Sequence, residues 1–152
     1  MMKNISIRKY QKEDLNAVLQ ILKSNTPAYF SPEEENEFIH YLENEIEQYF
    51  VVELNNQIVA CGGINLPENK NIGVISWGMV HANYQGMNIG KQLLNHRIKV
   101  LQSIPTVNQI IVRTSQLVFP FYEKCGFKLI ETIENYWAEG FHLYKMEYQN
   151  KN

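Results

Sequence analysis

Apolar residues recur along this chain in two rhythms, and the points where one gives way to the other divide it into elements. Ile5 to Arg8 alternates weakly and predicts an edge strand. From Asp14 to Lys23, Leu15, Val18, Leu19 and Leu22 fall on one face of a helix. Ser31-Pro32-Glu33-Glu34 has the chemistry of a helix start: a capping hydroxyl, a proline whose missing N–H costs nothing in the first turn, and acid beside the positive helix end. The helix it opens is expected to turn Phe38, Leu42 and Ile46 inward. Tyr49–Leu54 and Gln57–Leu66 are rich in strand formers, and Asn55-Asn56 between them suits a tight hairpin. Pro67–Asn71 reads as a loop and Ile72–Val80 as a further strand.

A glycine-bearing turn at Gln85–Gly90 then opens a helix to about Ser103, with Leu94, Ile98 and Leu101 on one face and Pro105 beyond its end. Gln109–Thr114 is a strand apolar enough to be central. Gln116–Lys124 is helical in character, but Pro120 cannot donate to a helical ladder, so a start near Phe119 with the proline in the first turn fits better. Lys128–Ile133 and Phe141–Tyr148 close the chain as strands. The order β-α-α-β-β-β-α-β-α-β-β predicts an α/β (α+β) fold, one mixed sheet with helices on both faces, as a single domain over 1–152.

Composition narrows the function. At 152 residues the chain suits one domain with a substantial core. A net charge of −2 gives no electrostatic case for nucleic acid or an anionic membrane. Met1 to Ile7 lacks the apolar core of a signal peptide and no run is long enough to span a bilayer, so a cytoplasmic setting is expected. Cys61 and Cys125 are the only cysteines and have no metal-ligand spacing, so neither a disulfide framework nor a metal site is expected.

The chemistry concentrates in two segments. In Val80 to Leu94 a strand runs into a glycine turn that opens an amphipathic helix, presenting unpaired backbone N–H groups and the positive helix end to an anion, most simply a phosphate. No G-x-G-x-x-G follows an early strand. Gly86-Met-Asn-Ile-Gly90-Lys91-Gln92 is one residue short of a P-loop and has Gln92 where the magnesium-binding hydroxyl belongs. Gln85-Gly86-Met87-Asn88-Ile89-Gly90 does meet the R/Q-x-x-G-x-G/A turn, with Asn88 where glycine is usual, and asparagine tolerates left-handed backbone angles. The second segment, Phe121-Tyr-Glu-Lys-Cys-Gly-Phe127, puts Tyr122 on the last turn of a short helix stopped by Gly126, with Phe127 leading into the core.

With these two segments in this order, the chain resembles the GNAT superfamily of acetyl-CoA-dependent N-acetyltransferases over essentially its full length. The resemblance implies a mostly antiparallel sheet of about seven strands and acetyl-CoA as co-substrate. It implies as acceptor a primary amine, of a small molecule or a peptide, that attacks the thioester directly. It implies that the turn from Gln85 to Lys91 (Gly86, Met87, Asn88, Ile89 and Gly90 between them) cradles the CoA pyrophosphate on the N–H groups of Met87 to Lys91, with the Lys91 backbone ahead of its side chain. Val80 would offer main-chain hydrogen bonds to the pantetheine arm and thioester carbonyl. Ser115 stands where an asparagine that contacts the cofactor is common.

Attack of an amine on a thioester needs a neutral nucleophile, a stabilised oxyanion and a proton for the departing thiolate. A phenol with a pKa of about 10 is protonated at neutral pH, and the resemblance places the Tyr122 hydroxyl near the CoA sulfur. Many relatives carry a glutamate on the strand before the turn to deprotonate the amine. Val74 to His81 holds no carboxylate, which leaves Ser76 as a water holder, His81 as a titrating group, and the base unassigned. Cys125 has no nearby histidine in sequence and is expected to pack as a small apolar residue.

The resemblance places the acceptor between the N-terminal helices and the last strands. Ser31 to Glu47 carries seven glutamates and no lysine or arginine, a solvated face or an attraction for a cationic amine. Tyr29, Phe30, Tyr136, Trp137 and His142 suit either a pocket wall, routine packing or an oligomer contact such as a homodimer. A non-catalytic acyl-CoA-binding module is the alternative from another class, and nucleotide binding has only the failed P-loop behind it.

Overall fold

The computed structural model describes residues 5–149, so the N-terminal reading of Met1 to Asn4 lies outside it. Seven strands form one sheet in the order β1-β2-β3-β4-β5-β7-β6: β1 Ile5–Lys9, β2 Gln48–Leu54, β3 Gln57–Asn65, β4 Ile72–Val80, β5 Gln109–Thr114, β6 Phe127–Ala138 and β7 Phe141–Tyr148. Four α-helices join them: α1 Leu15–Ser24, α2 Glu34–Asn44, α3 Ile89–Gln102 and α4 Phe119–Lys124. Every neighbouring strand pair is antiparallel except β4 and β5. The chain therefore has the mixed, mostly antiparallel sheet its sequence predicts.

Strand alternation assigns each face its helices. On β2, Tyr49 and Val51 pack with Val18, Ile21, Leu22 and Phe38 from α1 and α2. The intervening Phe50, Val52 and Leu54 pack with Ile89 and Leu93 of α3 on the other face. A further cluster joins Leu94, Ile98 and Leu101 of α3 to Ile75, Ile110, Val112, Tyr122, Phe127 and Met146. The Asn55-Asn56 hairpin forms with φ of 53° and 65°, the left-handed pair that a two-residue turn between twisted strands requires.

Two element boundaries differ from the sequence expectation and a third agrees with it. Helix α2 starts at Glu34, and Ser31 is not its hydroxyl cap: the Ser31 Oγ is buried without a partner, and instead the Ser31 N–H donates to the Glu34 carboxylate at 2.8 Å. Helix α4 does begin at Phe119 with Pro120 in its first turn. Strand β6 runs on to Ala138, so Tyr136 and Trp137 lie on the strand rather than in the loop before β7.

The parallel pair sets up the site. Strands β4 and β5 pair from Ile72↔Gln109 to Ile75↔Val112 and no further, although β4 continues five residues to Val80. On its other side β4 stays with β3 through an irregularity between Cys61 and Gly63, opposite Trp77, whose φ is 45°. The sheet is thereby opened at its centre.

Candidate active site

A cavity of about 900 Å³ fills that opening and runs across the sheet. One end is bounded by the turn from Tyr84 to Lys91 and by α4, the other by α2 and the segment before it. Val80, Gln85, Gly86, Asn88, Ile89, Gly90, Lys91, Ser115 and Tyr122 all line it. Met87 does not, its side chain packing with the Phe50, Val52 and Val59 cluster.

The turn is held by a small set of polar contacts. Asn88 adopts φ 66° and ψ 10°, the left-handed conformation at the start of α3, and Gly86 has φ 81°. Gln85 Nε2 donates to Asn25 Oδ1 at 2.8 Å and to the Val80 carbonyl at 3.1 Å; Asn25 Nδ2 donates to the same carbonyl at 3.0 Å. The His81 N–H bonds the Val59 carbonyl, which makes that the bonded pair with β3 and turns the N–H and C=O of Val80 toward the open side. Two donors within the protein already occupy that carbonyl, so the N–H is what Val80 has left to offer. At Gly90 a Cβ would lie 3.3 Å from Val80 Cγ2 and 3.5 Å from Phe121 Cζ; glycine keeps this corner open. Ile89 is core, 2% exposed, and Lys91 is exposed at the mouth of the cavity.

Tyr122 is 5% exposed and lies edge-on to Phe121 and Phe127. Burial pushes its phenol above the usual range, and the neighbouring Arg97 guanidinium pulls it back part of the way. The phenol is thus a protonated donor at neutral pH. Ser115 is buried, its Oγ accepting from the Leu117 N–H at 3.2 Å. Burial also raises the Cys125 thiol, which packs against the cluster around Tyr122, so no thiolate nucleophile forms there.

At the α2 end the walls are side chains. Asn65 Oδ1 accepts from Tyr41 Oη and from Ser76 Oγ, both at 2.7 Å, and its amide donates to the Glu45 carbonyl at 2.8 Å and to Glu47 at 3.0 Å. The Ser76 hydroxyl proton is therefore spent on Asn65. Trp77 stacks on Phe30 with centroids 6.2 Å apart, and Tyr29 stands at the rim, 38% exposed. Of the glutamate run only Glu34 and Glu45 reach the cavity, and burial raises the Glu34 carboxyl above its ordinary range. Trp137 lines the wall, its Nε1 donating to the Thr114 carbonyl. Tyr136 and His142 do not: Tyr136 Oη accepts from Arg113, and His142 Nδ1 accepts from the Asn135 N–H. His81 also stands outside, its Nδ1 capping the turn at Asn83.

The sequence reading passed over Arg97. It is 2% exposed, lies at the floor of the cavity between the two ends, and enters none of the ion pairs among the described residues. Its signal was present in the sequence, an arginine in the apolar stripe of α3 between Leu93, Leu94, Ile98 and Leu101.

Comparison with known proteins places this architecture. The model of the Acetyltransferase (GNAT) family matches residues 15–127. The chain belongs to the GNAT family. Among its relatives, an N-alpha-acetyltransferase of Sulfurisphaera tokodaii is 24% identical over 161 residues, covering 95% of this chain and 92% of that one. Two solved GNAT-like folds superpose over nearly the whole chain. Ard1 from Thermoplasma volcanium has a TM-score of 0.79 at 16% identity, covering 94% of this chain and 95% of that one. PaiA N-acetyltransferase from Thermoplasma acidophilum, in complex with coenzyme A, has a TM-score of 0.71 at 18% identity, with coverage of 97% and 99%. This GNAT protein is thus an N-acetyltransferase in family and fold, and no cluster of metal-ligating side chains occurs among its described residues.

Proposed function

We propose that this protein transfers the acetyl group of acetyl-CoA to a primary amine, of a small molecule or of a peptide, by direct attack on the thioester. The observation that carries the reading is the shared cavity. A left-handed Asn88 corner at the start of a fourteen-residue helix, the unclosed edge of β4 and the buried hydroxyl of Tyr122 all open onto it.

The residues fit that co-substrate. The N–H groups of Met87 to Lys91 and the α3 N-terminus suit the pyrophosphate. The Val80 N–H and the unpaired edge of β4 suit the amide-bearing arm. Gly90 leaves the corner clear where a larger residue would meet Val80 and Phe121. Ser115 offers one more polar contact on the β5 side.

In the transfer, Tyr122 donates its proton to the departing sulfur. The Trp77, Phe30 and Tyr29 wall shields the reacting carbon from water and packs against the acceptor's apolar part. Glu34 and Glu45 give the α2 end a negative potential that suits a cationic amine. These are the only carboxylates lining the cavity among the described residues, and no histidine lines it.

Isothermal titration with acetyl-CoA against ATP, followed by a thiol-release assay over a panel of amines and short peptides, tests the proposal. Binding of acetyl-CoA with amine-dependent thiol release is expected. Binding of ATP in its place overturns the reading. Acetyl-CoA binding with no release from any amine or peptide would reduce the protein to a CoA-binding module.

A further inference from the structure

A buried guanidinium without a counter-ion is rare, because removing a cation from water is costly unless an anion or a full set of acceptors replaces the water. Arg97 has neither. Its Nη1 makes two long contacts, 3.4 Å to the Gly63 carbonyl and 3.4 Å to the Ser76 carbonyl, and its Nε is buried with no partner. The Tyr122 phenol stands within hydrogen-bonding reach of the guanidinium, and no carboxylate pairs with it among the described residues.

The fold makes deliberate room for it. A Cβ at Gly62 would sit 2.8 Å from Arg97 Cζ, and one at Gly78 would sit 2.7 Å from Arg97 Nη2. Two glycines on adjacent strands thus form a notch in which the guanidinium lies flat on the sheet and reaches the cavity beside Tyr122. The titratable groups packed around it are Tyr41 from α2, Tyr49 from β2, Cys61 from β3, Tyr122 from α4 and His96 on its own helix. Burial holds each of them in its neutral form, with the Cys61 thiol pushed up to about 12. None supplies the missing negative charge.

We propose that Arg97 is the counter-charge for the sulfur anion released when the thioester is cleaved. The inference rests on the acetyl-CoA reading of the site. As the amine nitrogen forms its bond to the carbonyl carbon, the C–S bond breaks and its electron pair stays on sulfur. The Tyr122 proton then moves to that sulfur, and the proton shed by the nitrogen returns to the tyrosine through solvent. Negative charge sits first on sulfur and then on the phenol oxygen, and the Arg97 guanidinium stands beside both places. Arg97 is thereby a second catalytic group, and the same guanidinium lowers the thiol pKa of coenzyme A when it rebinds at the site.

The test needs no knowledge of the acceptor. Coenzyme A and desulfo-coenzyme A are titrated into the intact protein by calorimetry, in two buffers of different ionisation heat, about one unit below the ordinary thiol pKa of about 8.5. The wild-type protein is expected to bind coenzyme A about two- to tenfold tighter than the desulfo analogue, with proton release for coenzyme A alone, as a thiol pKa lowered by about one to two units requires. Arg97→Met should bind both equally with no proton release, and Arg97→Lys should keep part of the preference. Equal binding of both ligands by the wild-type protein, without proton release, overturns the role of Arg97 and leaves the co-substrate reading standing. A preference that persists in Arg97→Met overturns it too. Failure of the wild-type protein to bind either ligand removes the co-substrate reading itself. The wild-type comparison can overturn the role of Arg97 even if a variant does not fold.

Discussion

The two ends of the cavity are made of different material. At the Gln85–Lys91 end the wall is main chain: a left-handed Asn88, an open corner at Gly90 and the edge of β4. At the α2 end it is side chains: Tyr41, Asn65 and Ser76 tied into one network, with Trp77, Phe30 and Glu34 around it. Backbone recognition depends on conformation and clearance, and is indifferent to most substitutions that preserve them. Side-chain recognition changes with every residue. The first end is therefore built for a constant partner and the second for a particular one.

Filling the corner should break the first end outright. In Gly90→Val the added methyls crowd Val80 and Phe121, an overpacking cost of about 1–3 kcal/mol, so calorimetry should show acetyl-CoA affinity reduced roughly ten- to hundredfold. Tyr122→Phe tests the boundary between the ends: turnover should fall at least about tenfold while acetyl-CoA affinity stays within about twofold. Unaltered turnover would remove the hydroxyl from the chemistry.

Asn65→Ala strikes only the second end. It strips the shared acceptor from Tyr41 and Ser76 and should lower unfolding stability by about 1–3 kcal/mol, read from a denaturant midpoint, with acetyl-CoA affinity unchanged. Should that affinity drop as well, the two ends are not separable. Asn88→Gly goes the other way: relief of left-handed strain should hold or raise acetyl-CoA affinity by up to about 1 kcal/mol, and a large loss would show that the turn is used differently.

The smallest effect concerns Glu34. Burial raises its folded pKa, so the fold favours the neutral carboxyl. That contribution is fully present below the unfolded carboxylate range and is lost as pH rises through the raised value. Glu34→Gln should therefore stabilise the protein at neutral pH by less than about 1 kcal/mol, and should give no gain in acid. The same substitution should weaken binding of cationic amines if the α2 end attracts them by charge.

Legibility in the sequence divides along the same line. Asn88, Gly86 and Gly90 act through local backbone geometry, which a short motif can carry, and the placement of Tyr122 followed from Pro120 and Gly126 a few residues away. The α2 end depends on contacts distant in sequence, such as Tyr41 with Asn65. Tyr136 and His142 were plausible pocket residues by composition. The shifted register between β6 and β7, with Asn135 at φ 53°, turns them to other partners. Ser31 had the chemistry of a cap, but the Glu34 carboxylate is buried against its N–H and the helix starts two residues later, with Glu33 at the cap. Arg97 was visible as a charge on an apolar stripe, yet nothing local separates an arginine that snorkels to water from one laid in a glycine notch.

The wedge between β4 and β5 turns a defect in the sheet into a vacancy shaped for an eighth strand. An amide-bearing arm sliding into it would be paired like any peptide, by groups that every residue type supplies alike. On that same strand Ser76 and Trp77 face the α2 end with their side chains. One strand can in this way keep a fixed grip on the donor while its side chains diverge to suit whatever accepts.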